Sequence, residues 1–385
     1  MRVFLVAGEP SGDKLGAALM AGLKTLKPDV SFDGIGGALM QAEGLQSRFP
    51  MKELSVMGIA EVLPKYRHLK RRIAQTAAWV NETQPDVLIT IDSPDFSFRV
   101  AREVKAQNRV RTVHYVAPTV WAWRPKRAAK IAGFIDQLLA LFPFEPPYFT
   151  AHGMDCDFVG HPVVAEPVAT DAEVADFRNA HGLGDAPVLL VLPGSREDEV
   201  RRLAEVFGNS ISPLIRSVPQ MRVVVPAAAP VAGIVKQCVK DWDVAPIVLD
   251  PNRLSAEEGA SQKRAAFKAA GLALAASGTV SLELAAARTP MVIAYRMNWL
   301  SYQIIKRMAL VDTVTLVNLV SDTRVVPEFL GPDCVPHAIA EALETVWNDP
   351  GAQISAMDDT VARLGYGEEV PGLRAARAVL KRMPK

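Results

Sequence analysis

Short apolar runs, each ended by glycine, proline, serine or aspartate and followed by a helical pattern, recur along this chain. The first, Val3-Phe4-Leu5-Val6-Ala7, stops at Gly8-Glu9-Pro10-Ser11-Gly12-Asp13, and a helical pattern follows to about residue 26. Continuous apolar runs alternating with helix-length segments mark a parallel sheet covered on both faces. The same reading predicts strands at 30–37, 86–91, 110–116 and 137–142 and another ending within 158–162, with helices over 65–82 and 97–107. The theme then restarts. Val188-Leu189-Leu190-Val191-Leu192 stops at Pro193-Gly194-Ser195-Arg196, ahead of Glu197-Asp198-Glu199 and a further helix. Strands are expected at 221–226, 245–249 and 272–276, with short ones at 291–295 and 313–316.

Both openings look like the first β-to-α turn of a parallel sheet, where ligands bind beyond the carboxyl ends of the strands. Two such halves imply two α/β domains facing one cleft, and a group-transfer enzyme. The boundaries are expected at 1–165, 166–350 and 351–385, with a hinge near 163–170. The last segment is predicted to be helical and to pack back on the first domain, because Leu373, Ala376 and Leu380 share helical spacing.

The remaining composition narrows the function by exclusion. A chain of 385 residues is too long for one ordinary core. Its 43 basic and 42 acidic residues leave a net charge of +1, so no global field suits nucleic acid. Cys156, Cys238 and Cys334 have no paired spacing, and the six histidines form no ligand pattern, which argues for a reducing compartment and no metal site. No apolar run reaches the roughly 18 to 20 residues that cross a bilayer, so a cytoplasmic protein is expected, with membrane-surface contact left open. Neither a G-x-G-x-x-G fingerprint nor a P-loop is present, which disfavours a dehydrogenase or a P-loop kinase.

Candidate chemistry sits at the strand ends. Gly194, Ser195 and Arg196 bring backbone N–H groups, a hydroxyl and a guanidinium to one turn, an arrangement suited to a diphosphate. Ser277-Gly278-Thr279 forms a second such turn, and Glu283 beyond it can accept from a ribose diol; ordinary turn and cap chemistry accounts for the same residue types. Asp92 and Asp95 end an apolar strand with Pro94 between them. One can serve as a general base, or one can cap the following helix. Ser11 and Asp13 suit the start of the first helix, whereas Glu9 is expected to face the cleft. Trp121 and Trp123, with Arg124, fit a base-stacking surface or a lid, and His161 fits a ligand contact or a local hydrogen bond.

Two stretches suit a membrane surface. Lys65, Arg67, Lys70, Arg71 and Arg72 accompany an apolar stripe at helical spacing, just after the apolar Met57 and Ile59. A basic outer face on a sheet-covering helix is the ordinary alternative. Residues 297–308, rich in large apolar groups, suit either core or acyl-chain contact.

Taken in order, seven stretches resemble the bacterial lipid-A-disaccharide synthases, a family of inverting glycosyltransferases. They are Gly8 to Asp13, Asp92 to Phe96, Tyr115 to Arg124, Phe158 to Pro162, Leu192 to Arg196, Ser277 to Thr279, and Leu316 to Leu319. One departure is Pro10, where the family turn often has threonine; it affects stiffness more than chemistry. The resemblance implies a GT-B fold, two Rossmann-like α/β domains with the donor bound mainly by the second. It also implies transfer of 2,3-diacylglucosamine from UDP-2,3-diacylglucosamine to 2,3-diacylglucosamine 1-phosphate, with the UDP-sugar as substrate and no cofactor. By the same resemblance Asp95 is the first choice of base and Asp92 the second, Arg196 meets the UDP phosphates, Glu283 binds the ribose, and Asn318 helps to shape the donor site. Glu9, Ser11 and Asp13 look like acceptor-side or cleft residues, with Glu9 and Ser11 counted in the catalytic set. The expected location is the inner face of the inner membrane, held peripherally by an anionic surface. A related UDP-sugar enzyme such as a UDP-GlcNAc epimerase, and a non-catalytic membrane-surface protein, are the alternatives.

Overall fold

The computed structural model describes residues 1–54, 59–297 and 299–383, and the chain divides into two compact units, Met1–Ala165 with Leu364–Lys385, and Glu166–Arg363. The first unit runs β1 (Arg2–Ala7), α1 (Pro10–Leu26), β2 (Ser31–Ile35), α2 (Ala38–Ala42), α3 (Ile59–Thr83), β3 (Val87–Ile91), α4 (Pro94–Gln107), β4 (Arg111–Tyr115), α5 (Arg127–Ile131), β5 (Gln137–Ala140), α6 (Pro146–Thr150) and β6 (Asp155–Phe158). The second runs α7 (Asp171–Ala180), β7 (Val188–Leu192), α8 (Glu197–Ser217), β8 (Arg222–Pro226), α9 (Ala232–Cys238), β9 (Ile247–Leu249), α10 (Ala256–Ala269), β10 (Leu272–Ala276), α11 (Val280–Ala286), β11 (Met291–Tyr295), α12 (Trp299–Met308), α13 (Leu316–Ser321), β12 (Glu328–Leu330), α14 (Pro336–Asn348) and α15 (Gly351–Arg363). The chain then returns to the first unit as α16 (Pro371–Lys381).

Every residue of β3, β7 and β10 is buried, because helices cover both faces of each sheet. That is why these strands read as unbroken apolar runs and do not alternate. All described pairings are parallel. The first sheet has the order β2-β1-β3-β4-β5-β6, and the second β12-β11-β10-β7-β8-β9. Both are Rossmann-like, and each reverses direction once. The order grows in opposite senses on either side of β1 and β3 in the first sheet, and of β7 and β10 in the second. Crevices at such reversals are where open α/β sheets bind ligands.

Two sequence expectations shift. Residues 313–316 form no strand: Glu328 accepts the Val314 and Thr315 N–H groups and the Thr313 hydroxyl, so that backbone bonds a side chain in place of a sheet edge. The edge strand is β12 instead. The return to the first unit starts at Leu364, not 351. α15 stays with the second unit, packing on α11 and α13 and tied by Arg288–Asp358 and by Arg363 Nη1 to the Val320 carbonyl at 3.1 Å.

α16 covers α1 at backbone distance. A Cβ on Gly22 would sit 2.7 Å from the Gly372 carbonyl oxygen, and one on Gly372 would sit 2.5 Å from that of Ala18, so only glycines allow this approach. Gln137 Nε2 donates to the Ala378 carbonyl at 3.1 Å, and Arg382 meets Asp155 at 2.7 Å and Asp157 at 3.3 Å.

Candidate functional site

In the second unit the loops after β7, β8, β9 and β10 enclose a cavity of about 430 Å³, of the size that takes a small-molecule ligand. Its floor is the reversal point, with Gly194 and Ser195 after β7 beside Ser277, Gly278, Thr279 and Val280 after β10. One wall is apolar, from Pro226 to Ala229, Leu249 and Pro251. Gly194 (φ 115°) and Gly278 (φ 157°) hold left-handed conformations that admit the backbone to the cavity without a side chain in the way.

The Ser195 and Arg196 N–H groups already hold an anion. Glu199 Oε2 accepts them at 3.1 and 3.3 Å, and Oε1 accepts from Arg196 Nη1 at 3.0 Å and from the Tyr295 hydroxyl at 3.4 Å. Glu199 is therefore a capping residue of α8 as well as a cavity wall. The Arg196 side chain is 63% exposed. Glu283 lines the same cavity from α11, but its Oε2 receives a 2.5 Å hydrogen bond from Lys263 Nζ on α10, a partner no local pattern reveals. Asn318 does not line the cavity. Its amide is 1% exposed and spent on the Thr313 hydroxyl and on both backbone groups of Val326, so it clamps the 313–326 segment.

In the first unit the turns after β1 and β3, neighbours in the sheet, bring Glu9, Ser11, Asp92 and Ser93 together. The Ser11 hydroxyl donates to Asp92 Oδ2 at 3.3 Å, the Ser93 hydroxyl to Glu9 Oε1 at 3.4 Å, and Asp92 Oδ1 accepts the Ser93 N–H at 2.9 Å. Ser11 thus serves its neighbour and does not cap α1. Asp92 (φ 53°) and Ser93 (φ 44°) are consecutive left-handed residues without being glycine, a strained turn of the kind that persists where side chains must be displayed. A Cβ at Gly8 would lie 2.5 Å from Ser93 Oγ, so glycine there lets the two turns close up. Asp95 is exposed in the first turn of α4. Asp13, by contrast, faces inward: at 5% exposure it accepts the Gly37, Leu39 and Met40 N–H groups at 2.8, 3.0 and 3.0 Å, fastening α1 to α2. Its carboxylate is a structural clamp between the two helices.

Trp121 is buried, its indole donating to Glu145 Oε1 at 3.2 Å, while Glu145 Oε2 accepts the Leu141 and Phe142 N–H groups, both at 3.0 Å. Burial pushes the Glu145 carboxyl up to about 7. Phe142 and Phe144 link Trp121 to His161, whose Nδ1 accepts the Val163 N–H at 3.1 Å and whose burial lowers its pKa to about 4, leaving a neutral imidazole. Trp123 stands exposed under the Arg124 guanidinium at 4.1 Å from its ring centroid, so of the aromatic pair only this one faces solvent.

Arg67, Lys70 and Arg71 are exposed on α3. Arg72 is not part of that face: it forms a two-pronged pair with Glu53 at 2.9 and 3.0 Å and covers Phe49 at 4.3 Å. The same Arg72 hydrogen bond holds the Glu53 carboxyl below its ordinary range. Met57 lies outside the described residues, and of Ile59 and Lys65 only the backbone is described. Among the described residues no His, Cys, Asp and Glu group is placed to hold a metal, and no helix is long and apolar enough to cross a membrane.

The family described as lipid-A-disaccharide synthetase matches residues 3–373. The lipid-A-disaccharide synthase of Ruegeria pomeroyi is 64% identical over 384 residues, covering 100% of this chain and 96% of that protein. That of Rhodospirillum centenum is 47% identical over 389 residues, covering 100% and 95%. Among solved structures, the UDP-GlcNAc 2-epimerase of Neisseria meningitidis bound to UDP-GlcNAc aligns with a TM-score of 0.62 at 12% identity, covering 99% of each chain, which is a likeness of fold.

Proposed function

The chain belongs to the lipid-A-disaccharide synthetase family, and from that membership we infer how its two reversal-point sites divide one reaction. The enzyme is a glycosyltransferase. It transfers 2,3-diacylglucosamine from UDP-2,3-diacylglucosamine to 2,3-diacylglucosamine 1-phosphate, releasing UDP and forming the β-1,6-linked disaccharide 1-phosphate. The observation carrying the division of labour is that the family match, residues 3–373, runs through both reversal points, one rich in side-chain oxygens and one in backbone N–H groups.

In this reading the second unit binds the donor. Glu283 accepts from the ribose, and the turns at Gly194–Arg196 and Ser277–Thr279 surround the diphosphate, with the exposed Arg196 guanidinium meeting it as Glu199 gives way. The first unit supplies the base. Asp95 takes the proton from the acceptor 6-hydroxyl as that oxygen bonds to the anomeric carbon, and the bond from that carbon to the UDP oxygen breaks on the opposite face. Negative charge growing on the departing diphosphate is stabilised by Arg196 and the surrounding N–H groups. Asp92, held by Ser11 and the Ser93 N–H, fixes the turn beside Asp95. A GT-B fold belongs to the same reading, because one transfer needs both sites.

The acyl tails raise a further requirement. Moving a tail out of an apolar setting costs about 0.8 kcal/mol per CH₂, so a peripheral enzyme at an anionic surface leaves much of each tail in lipid. Among the described side chains of α3, Arg67, Lys70 and Arg71 are exposed cations that suit this contact. Product analysis with both lipid substrates tests the chemistry: disaccharide and UDP should appear in equal amounts, and UDP release without disaccharide overturns the reading. Co-sedimentation with anionic vesicles tests the surface. Reversing Arg67, Lys70 and Arg71 to glutamate should abolish a salt-sensitive association, and unchanged sedimentation of the folded variant removes α3 from the contact.

A further inference from the structure

The donor cavity contains a pair of opposite charges of which the reaction described above uses only half. Among the described lining residues Lys263 is the one cation, and it stands with two carboxylates, Glu199 and Glu283. Glu199 is satisfied by its own turn and by the Tyr295 hydroxyl. Lys263 is directed at the other. Its Nζ donates to Glu283 Oε2 at 2.5 Å and lies 5.2 Å from the centroid of the buried Phe267 ring, so both the carboxylate and the aromatic face restrain it.

The two side chains are 44% and 41% exposed. An ion pair so wet contributes little to stability. Its effect is on direction. A lone glutamate on the surface of α11 would exchange among staggered rotamers, and its charge would face the incoming diphosphate uncompensated. Held by Lys263, the carboxylate keeps one orientation and loses its net charge to the pair. A carboxylate has about four acceptor positions; the ammonium takes one on Oε2 and leaves Oε1 open, enough for a pair of adjacent hydroxyls.

We propose that Lys263 is a positioning residue that sets the Glu283 carboxylate for the ribose diol, and thereby selects ribonucleotides over 2′-deoxyribonucleotides. This rests on Glu283 being the ribose acceptor, and the two ideas fail differently. Calorimetric titration of the full chain with UDP and with 2′-deoxy-UDP gives a preference ratio for wild type, Glu283→Ala, Lys263→Met and Lys263→Arg. Wild type should favour UDP by roughly tenfold or more, the scale of a hydrogen bond to a charged group. Glu283→Ala should bring the ratio close to one. Lys263→Met should bring it below about threefold with Glu283 still present, and Lys263→Arg should restore most of it. A wild-type ratio in Lys263→Met, whether both nucleotides bind normally or both weaken equally, overturns the inference alone. A wild-type ratio in Glu283→Ala overturns the ribose reading and this inference with it.

Discussion

The turn after β3 and the turn after β7 each stand beside the reversal of strand order in their own sheet, yet they solve the backbone problem in opposite ways. After β7 the left-handed position is Gly194; after β3 it is Asp92 followed by Ser93. A glycine lets the main chain itself be the binding surface, which suits a ligand recognised through N–H groups. Asp92 and Ser93 keep their side chains at the cost of strain, which suits a site whose working atoms are carboxylate and hydroxyl oxygens. Topology chooses where a site lies, while the residue at the left-handed position tells which part of the chain touches the ligand.

The largest effect is expected from Asp95→Asn. It keeps the shape of the first unit's turn and removes basicity, so turnover should fall at least roughly a hundredfold with UDP affinity unchanged. Near-normal turnover would mean that this turn displays its side chains for some other purpose, and Asp92→Asn would then be the next variant to assay. Gly194→Ala attacks the other turn. Its Cβ would lie 2.6 Å from that of Glu199 in a left-handed conformation, so UDP affinity by calorimetry should drop about tenfold while the acceptor side is untouched.

Much of this comparison was legible in the sequence, and the reason is local. Buried parallel strands are continuous apolar runs, and the turns that end them carry Gly, Ser, Asp and Pro within a few positions of the strand. What stayed hidden depends on partners from other elements. Asp13 reads as a first-turn acid of its own helix until Gly37, Leu39 and Met40 are seen to donate to it. Arg72 reads as one of a row of surface cations until Glu53 claims it. Asn318 lies in a family-like stretch, and only the fold reveals that Val326 uses both ends of its amide. Lys263 has no motif at all, since its role is set by the approach of α10 to α11.

Buried ionisable groups sharpen the contrast. The first unit keeps Glu145 behind its Trp121 loop, with an ordinary value of 4.5 raised to about 7 by burial. Between those values the unfolded chain releases a proton that the folded chain retains, so stability falls as pH rises. His161, held down to about 4, acts in the opposite sense, its contribution being lost as pH falls from about 6.5. The two slopes overlap, so the informative quantity is the difference between wild type and Glu145→Gln. Urea midpoints at pH 5 and pH 7.5 should show the variant gaining on wild type at the higher pH by on the order of 2 kcal/mol; equal shifts would remove Glu145 from the balance. The smallest effect is also a gain in stability. Ser93→Gly relieves one left-handed residue and should raise the unfolding free energy by roughly 0.5–1 kcal/mol in the same assay, even as it deprives Glu9 of a hydroxyl.

The return of α16 to α1 has a consequence for how the protein is made. The surface of α1 that receives Gly372 and Leu373 is synthesised first, and its cover emerges only after Glu166–Arg363 has passed through the ribosome. At ~5–20 residues per second, about 200 residues of delay is roughly 10 to 40 s. For that interval the nascent first unit presents an uncovered helix face with glycine-flattened backbone while the second unit, continuous in sequence, is free to finish ahead of it. The unit that translation begins first is thus the one whose covering helix is made last.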